Sequence, residues 1–202
     1  MADDRQIWED GRASLYQTLS KSLRLTDDQL TEFVDLWQPK EFAKGEPIIR
    51  TGQYERHFHF VLDGVMRMLY NSPEGDEYTL AFSFAGEWSG HYPSLLFDQP
   101  ATVDLECLTE VKCLSIRAED LLASYDKWME LEKWGHRFVT RVLHGRLQRE
   151  IELLQFSAQE RLERFCKRSG HLFLEIPHKY IAAYLKMSPE TLSRLRSAMT
   201  IS

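Results

Sequence analysis

The sequence predicts an α+β fold: an antiparallel jelly roll preceded by helices, then a long helix, then a small C-terminal helix-turn-helix. Three observations predict it. From Phe42 to about Ile116 the apolar residues recur with a period of two, and turn signals break the run into short strands with no helix between them. From Ala118 to Phe156 the spacing becomes three and four. Near residues 186–188 a three-residue turn separates two short amphipathic segments. The implied domains are residues 1–126 (helices and roll), 127–155 (the long helix) and 156–202 (the helix-turn-helix).

Each element has a local cause. Leu15, Tyr16 and Leu19 form a helical stripe near the N-terminus, and Thr26–Gln29, "TDDQ", is a capping box before an apolar run. The strands are "EPIIR", "HFHFVLDGVMRMLY", "DEYTLAFSF" and "ATVDLECLTEVKCLSI", separated by turns at Lys44-Gly45, Thr51-Gly52, Asp63-Gly64, Pro73-Glu74-Gly75 and Ala85-Gly86. In the long helix Phe138, Val142, Leu143, Leu147, Ile151 and Leu154 make one apolar stripe, with charges on the other side. A charged helix with an apolar seam, following a completed β-domain, points to a homodimer packed along that seam. Gly145 interrupts the seam and either permits close approach of a partner helix or costs about 1 kcal/mol of helix stability. "SAQE" at Ser157–Glu160 caps a new helix, so the chain breaks near Phe156.

Composition narrows the class. A hydrophobic content of 43% and a charged content of 28% suit a folded, water-compatible protein of one or two domains. The longest uncharged apolar runs, such as "YTLAFSFAG", reach about nine residues, far short of a membrane span. The acidic N-terminus "MADDRQIWEDG" lacks the apolar core of a signal peptide, so the expected location is the cytoplasm, without membrane contact. Cys107, Cys113 and Cys166 are odd in number and have no CxxC spacing, which fits reduced thiols. The net charge of −6 averages two unlike parts: residues 137–202 carry +6 and the rest −12. An acidic body with a basic C-terminal part suits a nucleic-acid binder, although a basic solvated helix face accounts for part of the asymmetry.

The C-terminal part is "IPHKYIAAYLKMSPETLSRLRS", residues 176–197. A first helix from about Pro177 to Leu185 turns Ile181 and Leu185 inward, with Ala182 small enough for close packing. Lys186-Met187-Ser188 is the turn. Ser188 is a good N-cap, Pro189 is favoured at the first helical position, and the second helix runs through Thr191, Leu192 and Leu195. In a helix-turn-helix the second helix enters the major groove of double-stranded DNA. Glu190, Thr191, Ser193, Arg194 and Arg196 line its N-terminus and outer face, and Lys179, Ser188 and Pro189 flank it. These eight are the candidate DNA-contacting residues.

The order of "KGEPIIRTG", "HFHFVLDGVMRML", the long helix, "SAQERLERF" and "IPHKYIAAYLKMSPETLSRLR" resembles the Crp/Fnr family of bacterial transcription regulators, especially its short Bacteroidetes-type branch. The resemblance covers residues from about 25 to 197 and is strongest in "SPETLSR". It implies a cyclic-nucleotide-binding-like β-roll, a dimerisation helix, a helix-turn-helix on DNA, and RNA polymerase as a further partner. It also implies that Glu190 and Arg194 reach base edges. Pro189 stands where members that bind cyclic AMP have an arginine. Lys186 stands at the turn glycine, where a left-handed lysine costs roughly 1–2 kcal/mol. The β-hairpin wing that often follows in the family is not expected in the few residues after Arg196.

The same resemblance directs attention to "GHYPSLLFDQPAT", residues 90–102, where cyclic-AMP binders carry Gly-Glu-Leu and later Arg-Ser. Gly90 is kept, His91 occupies the Glu position, and no Arg or Lys lies between Arg67 and Lys112. A buried phosphate without a guanidinium is poorly compensated, so cyclic AMP is not the expected effector. Gly90, His91, Tyr92 and Ser94 face either another, unidentified small-molecule effector or the packing of the roll. No cofactor and no metal are expected.

Two other classes compete. In "HFHFVLDG", residues 57–64, His57 and His59 share one strand face, and with Asp63 and His91 they suggest a metal-dependent cupin-type enzyme. Against it, the glutamate that a cupin places after its histidine pair is absent. With Phe58, Phe60 and Leu62 as the core face, His57, His59, Val61 and Asp63 are expected on the other. The remaining class is a signalling protein that acts through protein partners.

Overall fold

The computed structural model describes residues 2–199, with side chains from Gln6 onward. Helices α1 (Ala2–Ser20) and α2 (Asp27–Asp35) precede strands β1 (Gln38–Phe42), β2 (Pro47–Ile49), β3 (His57–Asp63), β4 (Met66–Asn71), β5 (Glu77–Ser83) and β6 (Trp88–Ser89). Then come α3 (Tyr92–Phe97), β7 (Asp104–Cys107), β8 (Val111–Arg117), α4 (Ala118–Lys127) and α5 (Met129–Gln155). The chain continues with α6 (Ala158–Ser169), α7 (Leu172–Glu175), α8 (His178–Tyr184) and α9 (Pro189–Met199). The strands make two four-stranded sheets, ordered β1-β8-β3-β6 and β2-β7-β4-β5. This is the α+β jelly roll with C-terminal helices that the sequence predicts.

The chain divides into two compact units, residues 1–68 with 82–138, and residues 69–81 with 139–202. In the first, β3 lies between β8 and β6, with Phe58 opposite Ile116 and His59 opposite both Ser115 and Ser89. Phe58 and Phe60 pack on Leu15, Leu19, Phe33, Trp37, Leu131 and Trp134, so helices cover this face. Val61 joins Cys113, Val111, Ile49, Met66, Leu105 and Cys107 in a second cluster between the sheets. Both faces of β3 are therefore core, and His59 is 1% exposed. The sequence reading assigned one core face; an interior strand covered by helices on one side and a sheet on the other has two. Leu62 is only half-buried, against Gly11, where a Cβ would come within 2.3 Å of the leucine methyl. Gly64 closes the β3–β4 turn at φ +83, and a Cβ there would meet the Glu110 carbonyl oxygen at 2.0 Å.

The capping boxes form as read. Thr26 exchanges bonds with Gln29 (3.0 and 3.3 Å), and Ser157 with Glu160 (2.8 and 3.3 Å). The helical pattern after Ala118 is divided at Trp128, whose backbone is extended. The first turns of α5 belong to the roll: Leu131 and Trp134 are buried, and Phe138 contacts the rings of Phe58, Trp88, Tyr92 and Trp134 at 5.4–6.3 Å. Phe138, which the sequence places on the dimer seam, is half-buried and packs against the core of the roll. Its period matches that of the seam, but it sits where α5 still rests on the sheet.

In the second unit α6 to α9 close a small core of Leu162, Phe165, Leu172, Ile176, Ile181, Ala182, Leu185 and Leu192. Phe165 meets Phe173 edge-on and tilts against Tyr184, both at 5.7 Å.

Candidate nucleic-acid interface and effector site

The local chemistry of the C-terminal motif follows from its capping. Ser188 Oγ accepts from the Thr191 amide at 3.2 Å and also lies 3.2 Å from the Thr191 hydroxyl, which fixes the start of α9 behind Pro189. Buried Leu192 and half-buried Leu195 face inward, so Glu190, Ser193 and Arg194 are left exposed at the front of the helix, with Thr191 half-buried beside them. The Glu190 carboxyl is held below the usual range by its own backbone N–H and the Ser188 hydroxyl, so it is ionised and acceptor-only at neutral pH. Lys179 on α8 is exposed, its ammonium 4.8 Å from the centre of the Tyr180 ring. Arg196 is turned back: Nη1 lies 3.1 Å from His178 Nε2, and the guanidinium stacks 4.4 Å over Phe173. It braces α9 against the α7–α8 segment, unlike the outward-facing Arg194.

Lys186 takes the left-handed conformation, φ +53, which glycine usually supplies after a helix. The α8 carbonyls that end there have partners outside the helix. Arg161 donates to Leu185 O at 2.9 Å, to Phe156 O at 2.6 Å and to Lys186 O at 3.3 Å. Arg149 donates to Tyr184 O at 2.5 Å and stacks 3.6 Å over that ring. Sequence reasoning missed both arginines. Basic residues on the polar side of a helix look like solvated charge, and only the tertiary structure shows what they grip.

On α5 the remaining seam residues are uncovered within the chain: Val142 44%, Leu143 57%, Leu147 50%, Ile151 44% and Leu154 81% exposed. Val139, 39% exposed, extends the stripe and lies three residues before Val142. That spacing was the available signal for it.

The four candidate effector residues come together around the start of α3, and the polar groups of His91, Tyr92 and Ser94 bond one another or nearby residues of the roll. His91, 7% exposed, caps α3 by accepting from the Ser94 amide at 3.3 Å. Ser94 Oγ donates to Gln99 O at 2.5 Å. Tyr92 bonds Tyr125 through their hydroxyls at 3.0 Å, and burial pushes the Tyr92 phenol up and the His91 imidazole down. Gly90 has φ +144, with its Cα face against Phe58 and the His57 carbonyl. Arg67, with a side chain 3% exposed, is bound to Glu106 at 2.7 Å.

The histidine pair does not converge as metal ligands would. His59 Nδ1 bonds Ser115 Oγ at 2.7 Å, the His57 and His59 rings stack at 6.2 Å, Asp63 is exposed at the strand end, and His91 is the cap of α3. Among the described residues no three His, Cys, Asp or Glu side chains are grouped to hold a metal. Burial pushes His59 down to about 3, so its ring is neutral, and its Nε2, with Oγ of Ser89 and Oε2 of Glu55, lacks a hydrogen-bond partner among the described residues. Burial likewise pushes Cys113 up to about 11 and Cys107 up to about 12, so neither is a thiolate at neutral pH.

Comparison with known proteins agrees with this architecture. Residues 39–127 match the cyclic nucleotide-binding domain. The chain as a whole has the fold of the Crp/Fnr regulators. FixK2 from Bradyrhizobium japonicum is 16% identical, with a TM-score of 0.75 over 82% of this chain and 85% of that one. The catabolite activator protein of Thermus thermophilus is 24% identical, with a TM-score of 0.56 over 88% and 84%. A putative Crp/Fnr-family regulator from Eubacterium rectale is 17% identical, with a TM-score of 0.66 over 88% and 84%. No curated protein matches the chain by sequence. Among the described residues no helix is long and apolar enough to cross a membrane.

Proposed function

We propose that this protein is a transcription regulator of the Crp/Fnr type that binds an inverted-repeat operator as a homodimer. The observation that carries the reading is the Ser188-capped helix α9, which turns Glu190, Ser193 and Arg194 to solvent on a part of the chain with a net charge of +6. The fold shared with FixK2 and the catabolite activator protein supports it, and so does the uncovered apolar seam of α5, whose occupant is the same helix of a second copy. Cyclic AMP is not an effector of the roll, which either takes another small molecule or uses the residues around the start of α3 for packing. The region that would cradle a phosphate has no Arg or Lys between Arg67 and Lys112, and Arg67 is occupied by Glu106. Contact with RNA polymerase belongs to the same reading.

The test is selection of bound fragments from the source genome, followed by gel-shift titration at several salt concentrations. A shared inverted repeat, with affinity that falls steeply as salt rises, is the expected result. Failure to enrich any sequence, with capture of a protein partner instead, would overturn it in favour of a signalling role.

A further inference from the structure

The helix-turn-helix turn lacks the residue that would make its backbone easy, yet it keeps the geometry. Lys186 sits at φ +53, where a Cβ crowds the carbonyl oxygen and glycine is normally required. The turn closes with the Lys186 amide donating to Ala183 O and the Met187 amide to Ala182 O, both at 3.1 Å. That closure leaves the carbonyls of Tyr184, Leu185 and Lys186 pointing away from the helix, as the last carbonyls of any helix do. Two guanidiniums take all three. Arg161 spans Leu185 O and Lys186 O with Nε and Nη2 while its Nη1 holds the carbonyl of Phe156, the first residue after α5. Arg149, from α5, takes Tyr184 O and sits over that residue's own ring, 3.6 Å from its centre. A planar fork with five fixed donors suits this role, whereas a lysine ammonium presents one point. A cation at a helix C-terminus is also favoured by the helix dipole.

We propose that Arg161, backed by Arg149, is a positioning residue for DNA reading. It holds the turn in the left-handed conformation that glycine would otherwise supply, and so sets the angle at which α9 leaves α8. Neither arginine needs to touch DNA for this. The grip also ties three breaks in the chain to one another: the end of α5, the start of α6 and the end of α8. The effect on DNA rests on the function proposed above; the effect on the turn does not.

The experiment is a double-mutant cycle on the full chain with Arg161→Ala, Lys186→Gly and the pair. Two readouts are used: the urea midpoint, and affinity for a selected operator beside a random duplex. Arg161→Lys, which keeps the charge and the alkyl stem but not the fork, serves if the alanine variant does not fold. Loss of the grip should cost roughly tenfold in operator affinity, as for hydrogen bonds to a charged group, with random-duplex affinity changing less than about twofold. Lys186→Gly alone should change little. In the Arg161 background it should restore about threefold or more, because glycine no longer needs the clamp. Additivity, with Lys186→Gly acting by the same factor in both backgrounds, would overturn the proposal, as would a folded Arg161 variant with full operator preference. Should the wild-type chain bind no duplex at all, the regulator reading fails. The coupling in urea midpoints then decides the clamp alone, present if the two changes are coupled and absent if they add.

Discussion

His59 is the residue that most tempts a chemical reading, and its surroundings remove the chemistry. The ring is enclosed between the sheets, one nitrogen is bonded to Ser115, and burial holds the imidazole neutral down to about pH 3. In an unfolded chain the same group takes its proton near pH 6.5. Between those values the unfolded state binds a proton that the folded state refuses, so stability from this group is complete above about pH 6.5 and falls as the pH is lowered toward 3. The loss is roughly 1 kcal/mol per pH unit in that window. His57 and His91 are also shifted down by burial and add slope of the same sign. His59→Gln should therefore flatten the dependence of unfolding free energy on pH between about 6 and 4, relative to wild type, by about that amount. Equal slopes in the two proteins would show that His59 is not the buried titrating group. None of this was legible in the sequence. Alternation correctly put His57 and His59 together, away from Phe58 and Phe60. Alternation does not say whether the second face meets water or another sheet, and only the β2-β7-β4-β5 sheet decides that.

At the scale of elements, what could be read was whatever is encoded within a few residues. The capping boxes at Thr26 and Ser157, the Gly64 turn and the Ser188-Pro189 start of α9 depend on neighbours in sequence, and each forms as read. The long helix marks the limit. Phe138 and Leu147 fall on one stripe with identical spacing, yet Phe138 is packed into four aromatic rings and Leu147 is 50% exposed. The two should fail in different ways when substituted. Phe138→Ala opens a cavity against Phe58 and Trp134 and should lower unfolding free energy by about 3 kcal/mol, while any dimer persists. Leu147→Glu should leave the protomer's melting nearly unchanged. In a helix-to-helix seam it would bury an unpaired carboxylate, and should yield monomers by sedimentation at micromolar concentration. A wild-type monomer under the same conditions would sink the seam altogether.

At the scale of the whole molecule the charge divides into −12 outside residues 137–202 and +6 within them, and under the proposed function the first part would sense and the second would read DNA. The sensing part should not bind cyclic AMP: titration calorimetry at millimolar nucleotide should give no saturable heat, and clear micromolar binding would show that a phosphate finds donors other than a guanidinium. The reading part makes the more specific prediction. In the proposed dimer, two copies of α9 related by a two-fold axis would address half-sites about 34 Å apart, one turn of DNA. Arg194, exposed and free of the brace that holds Arg196, can give two hydrogen bonds to the O6 and N7 of guanine, and Glu190 can accept from a cytosine amine. Arg194→Ala should then cost roughly 1–3 kcal/mol per half-site and relax preference at one symmetric base pair. Lys179→Ala should weaken all sequences alike and lower the salt slope by about one per contact. The bland alternative is that Arg194 only pairs with Glu190 one helical turn earlier, an exposed pair worth a few tenths of a kcal/mol at most. Competition between operator variants and random duplex separates the two. An equal loss of affinity for both, on Arg194→Ala, would remove Arg194 from base reading and leave it as one more charge near the phosphates.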